Sequence, residues 1–568
     1  MTGAAVRIGN GSGFYGDRLS AMREMLEGGD LDFLTGDWLA ELTLLILGRD
    51  AAKDPALGYA RTFLRQLDDC LGLALERGVR IVANAGGLNP SGLADAVRGV
   101  AARQGLTVAV AHVEGDDLRS RTAELGLAGF GGAEPLTANA YLGAFGIAAA
   151  LDAGADVVVT GRVTDASVVV GCAAHAHGWE RDAYDALAGA TLAGHVLECG
   201  TQATGGNFSG FLDLPRHTPQ QRRLGFPLAE VAADGSCVVT KHPGTGGAVT
   251  VDTVTAQLVY EIQGRIYLGP DVATDLGSVQ LVPDGPDRVR MTGTRGFPPP
   301  SDVKVCLTTL GGWRNSVEMV LTGLDVDEKA AFARDQVEDH WDATGTRPAE
   351  VEWRRDGDLL GCHVRDSAPE PVGRAFTAAV VELALGSYPG FHVTHPPASG
   401  APFGVYTAAY VPQTSVPHVV VLDDGTRLDV PPPEVTAPSP VLDARPPDVG
   451  ALGQLETQPT VLGGLFHARS GDKGGDANVG LWPRAAGEAG DGAFAWLVVS
   501  VPRVLELLPE WTDLEVDVVV LRNLRAVNLV VHGLLGDGVA SSTRPDPQAK
   551  ALGEQVRALT VPVWKAVL

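Results

Sequence analysis

No apolar run in the sequence is long enough to cross a bilayer. The longest, such as Leu44 to Leu47 and Val518 to Leu521, fall far short of the roughly 20 residues a spanning helix needs. Cysteines are few: the six in 568 residues, Cys70, Cys172, Cys199, Cys237, Cys306 and Cys362, stand apart and never form a C-x-x-C pair. That spacing excludes a structural zinc site and suits a reducing compartment. Basic residues are scarce as well, with 44 Lys and Arg against 69 Asp and Glu and a formal net charge of −25. Such a surface repels nucleic acid and anionic membranes. It leaves room for an anionic small ligand, because loop dipoles act locally against the mean field. Met1 opens a short polar lead rather than a signal peptide, and internal repeats and low-complexity tails are missing. The expectation is a cytoplasmic protein with no membrane and no nucleic-acid partner.

What is present is enough chain for two to four domains, with 45% apolar and 20% charged residues, ordinary for a large buried core. Over the first two hundred residues, short β-branched runs such as Val6-Arg7-Ile8, Leu31 to Leu34, Val79 to Ala83, Leu106 to His112 and Ala155 to Thr160 alternate with helical patterns, including one at Thr137 to Ala153. Continuous apolar strands between helices predict an α/β fold with a doubly wound, mostly parallel sheet. From about residue 230 the runs become shorter and more polar. Val238-Val239-Thr240, Ala248 to Val254, Leu258 to Ile262 and Arg288 to Met291 read as a β-rich extension, and an α/β stretch follows with a helix near Val326 to Thr344. The expected division is 1–225 for a ligand-crevice domain, 226–430 for its continuation, 431–458 for a Pro-rich linker and 459–568 for a small α+β domain.

Glycine and short polar residues follow the predicted parallel strands. They form Gly9-Asn10-Gly11-Ser12-Gly13 with Asp17 just beyond, Thr35-Gly36-Asp37, Asn84-Ala85-Gly86-Gly87-Leu88-Asn89, and Gly161-Arg162-Val163-Thr164-Asp165. Ligands of open α/β sheets bind outside the carboxyl ends of the strands, so these four loops are expected to line one crevice. Gly9 to Gly13 reads G-x-G-x-G, which is not the dinucleotide fingerprint, and no G-x-S-x-G nucleophile elbow occurs. Each loop taken singly also reads as a tight turn.

Three further clusters carry candidate chemistry. His195 and Glu198, at i and i+3, share a helix face and suit an acid–base pair, with Cys199 beside them; the alternative is a capped helix end. Lys241 precedes His242-Pro243-Gly244-Thr245 and suits a phosphate, although a hairpin turn explains it nearly as well. The densest run, from His467 to Gly480, holds Arg469, Asp472, Lys473, Asp476 and Asn478, too many charged and amide groups for a mere turn. No metal site is expected, since His175 and His177 point to different sides of a helix and His392 and His395 lack carboxylate neighbours.

At these residues the chain resembles the acyclic terpene utilisation family. The matching stretches are RIGNGSGFYGD from Arg7, VANAGGLNP from Val82, ADVVVTGRVTD from Ala155, AGHVLECG from Ala193, the segment Ala229 to Gly247, and ARSGDKGGDANVG from Ala468. The resemblance implies a ferredoxin-like C-terminal domain and a role in catabolism of branched terpenoids through coenzyme A thioesters. It brings no catalytic residues with it. The expected function is therefore an acyl-CoA hydratase, lyase or hydrolase, with no built-in cofactor and coenzyme A as part of the substrate. Asp17, Asp165, His195 and Glu198 are the candidate acid–base groups. Asn10, Ser12, Asn84, Asn89, Arg162, Lys241, Thr245, Arg469, Asp472, Lys473, Asp476 and Asn478 are the candidate substrate contacts. A homo-oligomer is expected. The alternative is a non-catalytic subunit of an acyl-CoA carboxylase or dehydrogenase system.

Overall fold

The computed structural model describes residues 4–127, 134–443 and 456–568. The polar lead at 1–3 and the stretch 444–455 of the expected linker lie outside the described residues. The strands Val6–Asn10, Phe33–Gly36, Arg80–Ala83, Val157–Thr160 and Val110–Glu114 lie side by side and parallel, in that spatial order, at the centre of an eleven-stranded sheet. Their side chains alternate between two cores, as period-two strands require. Ile8, Phe33, Val82 and Val158 face the helices Phe145–Asp152, Ser167–His177 and Tyr184–Leu197. Leu34, Ile81, Val157 and Val159 face Ala21–Gly28, Arg61–Arg77 and Pro90–Gln104. Burial on both faces is why these strands read as unbroken apolar runs.

The sheet is parallel only at its centre, where a mostly parallel one was expected. Four of its pairings are parallel. The remaining six are antiparallel. The β-rich extension supplies one flank through Pro227–Val231, Cys237–Lys241, Arg288–Thr292 and Gln280–Pro283, while Val419–Val421 and Arg427–Asp429 supply the other.

Two local expectations are corrected. The helix read at Thr137 to Ala153 splits into a strand, Thr137–Ala140, and the helix Phe145–Asp152, because the first part pairs antiparallel with Val305–Thr308 and that pairing overrides its alanine content. The strands read at Ala248 to Val254 and Leu258 to Ile262 are instead the helix Val251–Leu258 and the turn after it. Thr250 and Thr253 form a reciprocal capping box that nucleates this helix despite its β-branched residues.

A 19-residue strand, Asp302–Val320, serves two bodies of structure. Its inner half carries Lys304 and pairs with Thr137–Ala140. Beyond a bulge at Leu310/Gly312 its outer half pairs with Leu359–Asp366 and joins a separate core around Trp341 and Phe376. Ala401–Pro412 runs back along both halves.

The C-terminal part is an antiparallel sheet of Phe466–Lys473, Asp476–Pro483, Ala526–Val531 and Val516–Leu521, packed by the helices Gly487–Leu505 and Leu552–Ala558. The polar run His467 to Gly480 is thus no open loop but a hairpin whose strands close on a two-residue turn, with Gly474 at φ 65°. No helix among the described residues is long and apolar enough to cross a membrane.

Candidate active site

The parallel strands end on one rim, and the loops leaving them meet there. Asn84 Nδ2 donates to Asp37 Oδ1 at 2.5 Å and its Oδ1 accepts from Trp38 N at 2.7 Å, joining the second and third loops. Arg162, 3% exposed, donates from Nη1 to Leu39 O at 2.5 Å and to Asp165 Oδ1 at 2.7 Å, joining the fourth. Asn10 donates to the carbonyl oxygens of Leu197 and Glu198, tying the first loop to the end of the His195 helix. Asp116 accepts from both Arg162 N and Asn139 Nδ2 at 2.7 Å and fixes the Arg162 turn from below.

The C-terminal hairpin closes this rim. Its tip places Asp472 and Lys473 in the wall of a cavity of about 280 Å³, opposite Asp37, Arg162, Asp165 and Glu198. Lys550 of the same domain lines it too, its Nζ hydrogen bonded to Tyr260 Oη. A second cavity of about 420 Å³ adjoins, with Ile266, Tyr267, Leu268, Val303 and Tyr410 in its wall, and the two share Tyr141, Asp165, Glu261, Lys304 and Lys473. Arg469, 4% exposed, lays its guanidinium 4.0 Å above the Tyr260 ring and bonds Gln202 across the domain interface.

These positions divide the sequence candidates. Asp165, Glu198, Arg162, Asp472 and Lys473 line the crevice. His195 stands one layer behind, its Nδ1 3.1 Å from Glu198 Oε1 and its ring 5.0 Å from that of Tyr267. Asn10, Ser12 and Asn84 are buried supports; the Ser12 hydroxyl donates to Phe14 O at 3.0 Å. Asp17 accepts from Gly13 N at 2.9 Å and from Arg18 N at 3.2 Å, closing its own loop. Asn89 caps the helix Pro90–Gln104 by accepting from Gly92 N. Lys241 pairs with Asp287 at 3.1 Å and donates to Thr245 O, while the Thr245 hydroxyl bonds His242 O, all outside the cavity wall. Asp476 accepts from Gly533 N and contacts His532, also outside it. Asn478 lies in the interface, where it holds the backbone around Glu261. Glu261, Lys304, Tyr141 and Lys550 belong to the wall without any sequence motif to announce them.

Two family models match the chain. One, described as acyclic terpene utilisation family protein AtuA, covers residues 6–422, and the other, the AtuA ferredoxin-like domain, covers 460–562. The chain belongs to the AtuA family. No curated protein and no solved structure shows significant similarity to it. In this AtuA chain both matched segments supply walls to the crevice, which therefore exists only where they meet.

Burial sets the charge states there. Desolvation pushes the Asp37 carboxyl well above its usual range, and the neighbouring Asp165 adds to it. Burial also raises Glu198, against the pull of His195. Asp472 is pushed up to about 8, first by burial and then by the charge of Glu261. Burial works against the Lys473 ammonium, but Glu261, Asp165 and Glu198 outweigh it and hold the lysine charged. Cys199, raised well above a normal thiol by burial, stays protonated and is a poor nucleophile. Among the described residues no group of three or more His, Cys, Asp or Glu side chains could hold a metal ion.

A carboxyl raised in the folded state binds its proton more tightly there than in the unfolded chain. Asp472 therefore lowers stability progressively as pH climbs from the unfolded value near 3.8 to the folded value near 8. Asp472→Asn removes that penalty. The variant is expected to melt above wild type at about pH 8 and to lose the advantage near pH 4, as read by thermal unfolding across that range.

Proposed function

We propose that this chain is an acyl-CoA-processing enzyme of the hydratase, lyase or hydrolase type that acts on a branched acyl thioester. A single observation carries the reading: the cavity lined by Ile266, Tyr267, Leu268, Val303 and Tyr410 opens onto a charged one, with Asp165, Glu261, Lys304 and Lys473 at the junction. Together the lobes suit a molecule with an apolar chain joined to a polar, reactive end, since ligand pockets combine apolar walls with a few convergent polar groups. The acyl chain takes the apolar lobe, and the thioester oxygen faces Lys473. A raised acid, Asp472, beside carboxylates of other character is the usual basis for acid–base work near neutral pH. Lys304, held 5.0 Å above Tyr141, and Lys550 replace Lys241 as counter-charges for the coenzyme A end. Helices on both faces of the parallel centre support the doubly wound description, and the reducing compartment implied by unpaired cysteines supports a cytoplasmic setting.

The test is turnover of a panel of branched 2-enoyl- and 3-hydroxyacyl-CoA esters by the full chain. Lys473→Met is expected to lower kcat by about 10²–10³-fold, the loss typical of removing one charge that stabilises a developing oxyanion. Wild-type rates in that variant remove Lys473 from the mechanism. No turnover on any thioester, together with stoichiometric capture of carboxylase subunits, favours the accessory role instead.

A further inference from the structure

Glu261 stands where the two lobes meet, in a backbone conformation that side chains other than glycine and asparagine avoid, with φ 54°. Such a conformation persists only where the surroundings impose it, and it concentrates at functional sites. Here the surroundings belong to the other domain. Asn478 Oδ1 accepts from Glu261 N at 2.9 Å, and its Nδ2 donates to Val259 O at 2.7 Å and to Asn528 Oδ1 at 2.8 Å. Asn528 Nδ2 in turn donates to Ile262 O at 3.3 Å. Two asparagines, each no more than 1% exposed, thus grip the main chain on both sides of one glutamate.

We propose that Glu261 is the catalytic base of the crevice, Asp472 the acid that works with it, and Asn478 with Asn528 the positioning pair that brings base and acid together across the domain interface. The assignment rests on the acyl-CoA reading above and narrows it to reversible removal of water from a 3-hydroxyacyl thioester. Glu261, Asp472 and Lys473 line the same cavity wall, and Glu261 is the leading charge acting on the other two. A separate sign of a ligand is Glu198 in the same wall. It is 6% exposed, and its Oε2 has no hydrogen-bond partner. A buried carboxylate oxygen of that kind calls for a polar group from a bound molecule.

In the proposed reaction the Glu261 carboxylate takes the proton from C2 of the substrate. The electron pair of that C–H bond passes to the thioester oxygen as an enolate, against the Lys473 ammonium. The enolate then expels the 3-hydroxyl, which takes the Asp472 proton and leaves as water. Glu261 ends protonated and Asp472 ionised, and passing that proton from one to the other restores the starting state.

The experiment uses the full-length chain and 3-hydroxy-3-methylbutanoyl-CoA in deuterium oxide, following exchange at C2 by mass spectrometry and dehydration by absorbance. Wild type is expected to do both. Glu261→Gln should lose both by 10²-fold or more, the usual contribution of a general base. Asp472→Asn should keep C2 exchange and lose dehydration, a split that a merely structural role would not produce. Asn478→Ala should lower kcat more than it changes KM. Glu261→Asn controls for folding, since asparagine adopts the left-handed conformation readily, and it should fold and remain inactive. Wild-type exchange in Glu261→Gln overturns the base assignment while leaving the acyl-CoA reading intact. Turnover of other thioesters by wild type without any C2 exchange does the same. A wild-type chain inert toward every thioester overturns both.

Discussion

Arg162→Met is expected to destabilise the chain by about 3–5 kcal/mol, the range found when one partner of a buried ion pair is deleted. Arg162 is 3% exposed, its guanidinium lies 4.1 Å above the Tyr141 ring, and its Nη1 donates to both Leu39 O and Asp165. Without it, Asp165 and Asp37 lose the buried cation they share, and Leu39 O loses its donor. The loss should depend on pH. Burial and Asp165 already raise Asp37 with the guanidinium present, and removing the guanidinium raises it further. Folding then favours the protonated form of Asp37, so the variant's deficit shrinks toward about pH 4 and grows toward about pH 8. Urea unfolding at the two ends of that range measures it. Arg162→Lys should recover only part, because an ammonium lacks the flat guanidinium that stacks on the Tyr141 ring. Equal stability of Arg162→Met and wild type at pH 8 would show that the rim does not need this cation.

Gly480→Val should separate the two matched segments without unfolding either. A Cβ at Gly480 would come within 2.4 Å of Val259 Cγ2, and Val259 is fully buried at the end of its helix with nowhere to retreat. Valine itself suits the strand Asp476–Pro483, so the C-terminal sheet should tolerate it. The overpacking falls on the interface and is worth about 1–3 kcal/mol there. Calorimetry should show one transition in wild type divide into two. Activity should fall by about 10²-fold, the effect of misplacing reacting groups by an ångström or so, because Asp472, Lys473 and Lys550 all reach the crevice from the displaced side. A single unshifted transition with full activity would mean that the contact is loose enough to absorb a side chain.

Much of the crevice can be read in the sequence because parallel strands put their glycine-rich ends in one place. Asp37, Arg162 and Asp165 announce themselves in this way, and Asp472 and Lys473 through sheer density of polar groups. Lys241 and Thr245 mislead because a lysine next to glycines looks the same in a plain strand-to-helix turn as in an anion loop; only the pairing with Asp287 tells them apart. Glu261, Lys304, Tyr141 and Lys550 are invisible for a different reason. Each comes alone from an element remote in sequence, and nothing local records that they converge. The Thr137–Ala140 strand is hidden likewise, since its identity depends on a partner more than 150 residues away.

The strand Asp302–Val320 has a consequence for how the chain can be rearranged. One uninterrupted length of backbone, roughly 60 Å at about 3.3 Å per residue, holds Lys304 at the crevice and also forms the spine of the outlying Trp341 core. The outlying part is therefore no detachable cassette. Excising it would cut the same rod that presents the Lys304 ammonium to the crevice, so shortened or permuted versions of the protein must find their joints elsewhere.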